Sequence, residues 1–524
     1  MIRYVILMPV ITIYMLTILR LDDNEATSMF HDFQFWVFFC PLFGSILADG
    51  YIGKFRSIIF FLIVFFIGMS LLTFVSTRAE DSGLHPWLDY VALSVIGFGS
   101  GALGPCLFSF GADQFEASQV QKAGRFLATL VVTTNAAATI SIIVVPLMRS
   151  TSCFERDSCY PMPFGLGTVI LLLATVLFVG CSKWYKKRQT QSNVIVECFI
   201  VTAHWLCPYL DTHNCEADAT CRLYKDSKRK YKCHKEEFVD DLNAVYKVLV
   251  MFMNGPMFFA LFQQTGSRWI LQAVAIDGHL WKDGVAILPD QLPVINTILL
   301  MTFIPLFRTV LYPLVKKLGI EPTCVHLFER GLTAGGFIAA LSYIVVALIQ
   351  LQVNATLPAV PEANKVHVSI VNAVPNCAMR FDVPGSSPKA NVNVQAINAQ
   401  GERNALRHDL VDANSVSILW QFLPYAITTM SEVLFSITGF ELSYSQAPRS
   451  MKAFISAMWL MGVALGNVIV FLVSEIEFFD NLAFEMFAYA GVMALTTSVF
   501  MLLSIFYYEY RYYTEEEEEE SKQE

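Results

Sequence analysis

Charge is scarce in this chain. Asp, Glu, Lys and Arg make up 15% of its 524 residues, too few to coat a soluble protein of that length. Catalytic signatures are missing too: there is no Walker loop, no HExxH and no GxSxG. The last two absences exclude the metallopeptidase and serine-hydrolase chemistries that an enzyme within a membrane would use. No enzymatic activity and no cofactor are expected. The twelve cysteines form no recognisable metal framework. His213, Cys215, Cys221, Cys233 and His234 have spacings that fit no zinc pattern, so free thiols are expected there. The net charge of −9 shrinks once the run Glu515–Glu520 is set aside as a solvated tail, and nothing in it points to nucleic acid.

What the chain does have is apolar length. It is 55% hydrophobic and holds 42 Phe. Runs of about 20 apolar residues recur along it, each long enough to cross a bilayer as a helix. Twelve spans are expected, at roughly 2–19, 33–49, 57–76, 88–109, 126–147, 163–182, 243–262, 292–312, 330–352, 415–439, 452–474 and 484–507. Met1 opens into the first run with no polar lead, and no small-residue cleavage site follows, so a helix is expected there rather than a signal peptide.

Basic residues orient the spans. The loop 183–240 holds eleven Lys and Arg, and Lys54, Arg56, Lys316 and Lys317 follow the second and eighth spans. The loop after span eleven carries Glu475, Glu477 and Asp480 and no basic residue. The positive-inside rule places both termini in the cytosol of a multi-pass membrane protein; the plasma membrane is the expected location. Cys153 and Cys159, in "CFERDSC", then lie in an outer, oxidising loop, where a disulfide is expected. Asn354, in the sequon Asn354-Ala355-Thr356, lies outside as a glycan acceptor. The outer segment 353–414 contains "VHVSIV" and "VNVQAI", which read as short strands.

The basic loop divides the chain into two sets of six spans, which suggests two parallel halves around a central cavity. The expected organisation is an N-terminal bundle 1–182, a cytosolic linker 183–242, a C-terminal bundle 243–507 with an extracellular insert 353–414, and an acidic cytosolic tail 508–524. "GSILADGYIGKFR" joins spans two and three. Its Asp49, Lys54 and Arg56 read either as a tight polar turn or as a charge cluster that binds the other half across the cavity mouth. The pattern resembles the signature loop of the major facilitator superfamily.

Three further stretches, "GADQF" (Gly111–Phe115), "LFQQTGSRW" (Leu261–Trp269) and "SEVLFSITGFELSYSQAP" (Ser431–Pro448), narrow the resemblance. Together they are similar to the proton-dependent oligopeptide transporters, and most of all to the animal di- and tripeptide carriers of solute carrier family 15. The resemblance implies an all-α integral membrane protein with 6+6 helices. It also implies a symporter of short peptides in the lipid bilayer, driven by protons and acting as a monomer. Glu432 interrupts an apolar run, where a carboxylate costs about 2.5–3.5 kcal/mol to insert. By the resemblance it pairs with the peptide ammonium and takes part in proton binding. A structural Glu bonded to a neighbouring Ser or Tyr is the alternative. Tyr425, seven residues earlier, lies on the same helical face. Asn135 and Asn296 match asparagines that hold the peptide backbone, and Tyr14 matches a first-helix tyrosine. Phe259 and Trp459 read as side-chain pockets or as core packing. His31 matches a histidine tied to proton binding, although a lone His near a helix start also serves as a polar cap.

Departures from the family are equally plain. Aligned through "LDDN", Met1 takes the place of the Arg in an E-x-x-E-R motif, so the first helix is expected to be truncated. Its remaining run of about 18 residues spans about 27 Å, barely a membrane thickness. Gly104 stands where the family has Lys, Gln263 where it has Asp, and Phe259 where Trp is usual. Lys247 and Arg308 occupy positions that are oppositely charged in animal members. Lys247 is the remaining cation for a peptide carboxylate. Weakened coupling is therefore expected. A peptide sensor that does not transport, a product whose start lies upstream, and a carrier of another solute remain as alternatives.

Overall fold

A computed structural model of the chain describes residues 7–187 except 9, 79–81, 116–118 and 155, residues 245–356 except 281–285, 312 and 314–323, and residues 415–507 except 440, 441, 443–451 and 480. The Cys/His stretch 213–234, the strand-like segments of the insert and the acidic tail lie outside the described residues, as does most of the basic linker.

The helices follow one another in two sets. The first holds α1 (Ile11–Thr17), α2 (Asp23–Gly50), α3 (Lys54–Ser76), α4 (Trp87–Ala112), α5 (Val120–Arg149) and α6 (Pro161–Gly180). The second holds α7 (Val245–Val274), α8 (Val294–Leu306), α9 (Cys324–Thr356), α10 (Phe422–Glu432), α11 (Lys452–Glu475) and α12 (Leu482–Phe506). Among the described residues nine are long and apolar enough to cross a membrane. Of the other three, α1 has seven described residues. α8 runs into a π turn at Phe307–Leu311, and α10 into another at Val433–Ile437. α7 is broken by a 3-10 turn at Gln264–Gly266. Such breaks re-aim side chains and cluster where helices form sites.

Several boundaries differ from the hydropathy reading: α7, for one, runs to Val274 rather than 262, and α5 begins at Val120 rather than 126. α2 begins at Asp23, ten residues before its expected start, with the Asp22 carboxylate capping the Glu25 amide at 2.7 Å. The added turns carry Ser28, His31 and Asp32. They lower local hydropathy, yet Ser28 and His31 are buried by polar partners in the other half. α9 runs on to Thr356 and so includes the sequon asparagine.

Each half has its own core. Phe30, Phe33, Phe61, Phe65, Ile96 and Phe164 belong to the first, and Phe258, Trp269, Tyr343, Phe435 and Met493 to the second. The halves meet where α2 packs on α11 and α5 on α8. Leu42 of α2 sits within the second core. Leu172, Leu173, Val176 and Leu177 of α6 are exposed, the apolar exterior a lipid-facing helix requires. Gly99 to Gly104 spell GxGxxG, but in mid-helix rather than between a strand and a helix. A side chain at Gly99 would strike the Phe65 backbone and one at Gly101 the Val37 backbone, so both glycines serve close packing of α4 on α3 and α2. Gly53 has φ of 83°, a left-handed turn that lets α3 start directly after α2.

Candidate functional site

The second half presents a carboxylate at a helix break. Glu432 ends the regular part of α10, and the π turn begins at the next residue. Asn296 of α8 donates through Nδ2 to Glu432 Oε2 at 2.9 Å and approaches Thr429 Oγ1 at 3.1 Å. The Thr429 hydroxyl donates to the Tyr425 carbonyl at 2.8 Å, which leaves its lone pair for Asn296. Glu432 and Asn296 are both half-buried. Oε1 of Glu432 has no hydrogen-bond partner among the described residues, and no basic side chain bonds this carboxylate. The structure therefore joins Glu432 and Asn296 directly, while Tyr425 contributes only its backbone carbonyl, through Thr429. Tyr425 is fully buried, edge-on to Trp269 with ring centroids 4.8 Å apart, and its hydroxyl donates to the Thr265 carbonyl.

Phe259 and Trp459 belong to one aromatic cluster. Their centroids lie 5.6 Å apart, and Phe252, Phe258 and Phe435 complete the group, with Phe258 stacked on Phe435 at 3.9 Å. In the first half, Gly104 faces open space: a Cβ there would meet nothing within 4 Å. Asn135 is half-buried on α5, and Lys247 is half-buried in the first turn of α7. Tyr14 is fully buried and donates to Asp89 at 2.8 Å. Lys54 pairs with Asp113 of the "GADQF" stretch at 2.5 Å, a partner in the same half. Arg56 is exposed, and the side chains of Asp49 and Arg308 lie outside the described residues. Cys153 and Cys159 are joined in a disulfide. Asn354 is half-buried in the last turn of α9, where its amide donates to Asn481 at 3.0 Å and accepts from Gln350 at 2.9 Å.

At the end of the molecule that carries the disulfide loop, polar side chains bond one half to the other. His31 is fully buried between Asn467 Oδ1 (2.7 Å from Nδ1) and Ser267 Oγ (2.9 Å from Nε2). Asn467 spends its Nδ2 on the Val463 carbonyl, so its oxygen faces His31 and Nδ1 must carry the proton. Nε2 then accepts from the Ser267 hydroxyl. Thr12 donates to the Gly266 carbonyl at 2.6 Å, and Ser28 to Glu475 at 2.7 Å. Arg268 meets Glu485 of its own half at 3.0 Å and the Asn24 amide oxygen of α2 at 2.8 Å. Arg149 of α5 meets Asp290, just before α8, at 2.6 Å. That end is closed by these bonds. Ser267 and Arg268 were already within a quoted motif. Nothing in the sequence marks Asn467, Glu485, Arg149 or Asp290 as partners, because each is a solitary polar residue whose mate lies in a distant segment.

Comparison with known proteins agrees with this arrangement. The model of the POT family matches residues 55–382 and 392–480. "Peptide transporter family 1" of Caenorhabditis elegans is 29% identical, over 95% of this chain and 86% of its own length. "Solute carrier family 15 member 1" of Homo sapiens is 26% identical, over 95% of this chain and 90% of its own. The crystal structure of the POT family transporter PepTSo is 25% identical, with a TM-score of 0.70 over 96% of this chain and 95% of that one.

Proposed function

Because the chain belongs to the POT family, we propose that it carries short peptides across a membrane, linked to protons with weakened coupling. The observation that carries the reading is the Glu432 carboxylate. One oxygen is held by Asn296 and the other has no partner among the described residues, so the carboxylate at this helix break has room for a cationic partner. A peptide ammonium satisfies it with a charge-assisted bond. Asn296 and Asn135 offer amides that donate and accept at once, which suits a peptide bond of any sequence. Phe259 and Trp459 flank the cargo's side chains; Tyr425 and Tyr14, both fully buried, support the wall from behind through the Thr265 carbonyl and Asp89. Lys247 is the cation for the carboxyl end, since the position of the family's Lys is Gly104.

Weakened coupling follows from what stands in two matched positions. Gln263 cannot take up a proton where the family has Asp, and Gly104 carries no charge. His31 and Glu432 remain. One chain supplies both halves of the cleft, which supports a monomer. We place it in the plasma membrane with both termini in the cytosol, so that the closed end faces outward. The test is radiolabelled dipeptide uptake into proteoliposomes, with and without an imposed inward proton gradient. Uptake that equilibrates, and rises weakly with the gradient, is expected. Saturable binding without any exchange across the membrane would instead support a sensor. Accumulation far above equilibrium, collapsed by a protonophore, would show full coupling.

A further inference from the structure

The end of the first half opposite the disulfide carries a basic surface that the peptide site does not use. It is built on the segment that follows α6. A 3-10 turn at Cys181–Lys183 ends that helix, and the Trp184 amide closes on the Cys181 carbonyl at 2.9 Å. Gln114 of the "GADQF" stretch then grips the backbone of Lys186 on both sides. Its Oε1 accepts from the Lys186 amide at 2.9 Å, and its Nε2 donates to the Lys186 carbonyl at 3.2 Å. Tyr185 packs against Phe178 of α6, Phe110 of α4 and Phe55 of α3, with ring centroids 5.2, 5.4 and 6.2 Å away. The segment is thus a fixed ledge on the first half.

Its outer side is basic and aromatic. Trp184 is 84% exposed, and Lys183, Lys186 and Lys187 are exposed on either side of it. Lys187 lies 4.2 Å over the Phe55 ring and donates to the Ser182 hydroxyl at 2.8 Å, two neutral partners that leave its charge uncompensated. Arg56 is exposed in the first turn of α3. Lys122 and Arg125 are exposed in the first turns of α5, which the Phe126 ring ties to Phe115, the residue after Gln114, at 5.5 Å. Asp113 is the one acidic side chain described at this end of the first half, and Lys54 holds it. Among the described residues no ion pair engages Arg56, Lys122, Arg125 or Lys183. The ledge begins where the exposed apolar face of α6, at Val176, Leu177 and Val179, ends. The surface beside it is therefore the rim of the bilayer. An indole, with an apolar body and one N–H donor, suits the boundary between hydrocarbon and headgroups. Lys and Arg clustered directly after a membrane helix attract negative headgroups.

We propose that this ledge, with Arg56, Lys122, Arg125, Lys183 and Lys187 around Trp184, binds anionic phospholipid headgroups of the leaflet at that end. The cations meet the phosphate and any second negative group of the lipid, Trp184 sits at the headgroup boundary, and Gln114 is a positioning residue that holds the ledge in place. The binding does not depend on the cargo; that the leaflet is the cytosolic one rests on both termini lying in the cytosol.

Native mass spectrometry of the full-length protein in detergent, titrated with phosphatidylserine and phosphatidylcholine of the same acyl chains, reads the ratio of the two affinities. Phosphatidylserine is expected to bind severalfold more tightly. One cation at a membrane surface is worth roughly fivefold in binding, so Lys183→Gln and Lys187→Gln are each expected to lower the ratio by up to about fivefold. Arg78→Gln removes an exposed cation at the disulfide end and is expected to leave the ratio as it is. A ratio that survives in both lysine variants, or that falls equally in Arg78→Gln, overturns the site. Gln114→Ala and Trp184→Ala remove no charge, yet both are expected to lower the ratio. A ratio unchanged in these two means that net charge alone attracts the lipid, and overturns the built ledge. Millimolar inorganic phosphate is expected to leave the lipid bound, and displacement by it overturns the lipid assignment in favour of a soluble anion.

Discussion

Asn296 donates to Glu432 at 2.9 Å, so a neutral amide holds this intramembrane carboxylate where a cation could have done so. The difference matters. A Lys or Arg partner would neutralise Glu432 and leave nothing for a ligand, whereas an amide orients the carboxylate and keeps its charge available.

Glu432→Gln tests that charge directly. Glutamine retains an acceptor for Asn296 but cannot pair with an ammonium. Removing one partner of a buried charge pair costs about 3–5 kcal/mol, more than a hundredfold in affinity. Peptides with a free amino terminus are expected to lose that much in equilibrium binding, and N-acetylated peptides far less. Equal losses for both ligands would make Glu432 structural.

The Arg149–Asp290 pair should govern the closed end. Asp290 is fully buried and Arg149 nearly so, so breaking the pair leaves a charge without its partner. Arg149→Gln and Asp290→Asn are each expected to shift the population towards opening at that end. The readout is faster labelling of a cysteine introduced at Leu292, which is buried two residues from Asp290. The swap Arg149→Asp with Asp290→Arg should restore slow labelling. Fast labelling that survives the swap would argue against the pair.

His31 is held in one tautomer by Asn467. Asn467→Ala removes the acceptor for Nδ1–H in a fully buried site, at a cost of about 1–3 kcal/mol. A melting temperature lower by a few degrees is expected in detergent, with Asn467→Gln losing less. An unchanged melting temperature in Asn467→Ala would mean that the imidazole finds another partner.

Cys153 and Cys159 are joined within a turn that also ties the Cys159 amide to the Arg149 carbonyl at 2.8 Å. Mass spectrometry without reductant should find the two as one linked peptide. Alkylation of both thiols in folded protein would refute the bridge. Reduction is expected to loosen the end of α5 and so to mimic Arg149→Gln in the labelling assay.

The sequence alone determined the class and the helices. Apolar runs in a solvent without water leave the backbone no choice but to bond within each segment, so α3, α4, α6, α11 and α12 were legible almost to the residue. Glu432 also declared itself, because a carboxylate in an apolar run is costly enough to need a reason. Tertiary structure decided what polar residues do when their partners are distant. The start of α2 was misplaced because Ser28 and His31 read as an aqueous end, when they are buried against Glu475 and Asn467 more than four hundred residues away. Tyr14 matched a substrate position, yet its hydroxyl is spent on Asp89, a residue that no pattern singles out. The breaks at Gln264–Gly266 and Val433–Ile437 were likewise invisible, since hydropathy averages over a helix and carries no record of where its hydrogen bonds change register. Apolar burial is a sum over neighbours in sequence; a hydrogen bond between two helices depends on one distance and one angle, which only the packed chain supplies.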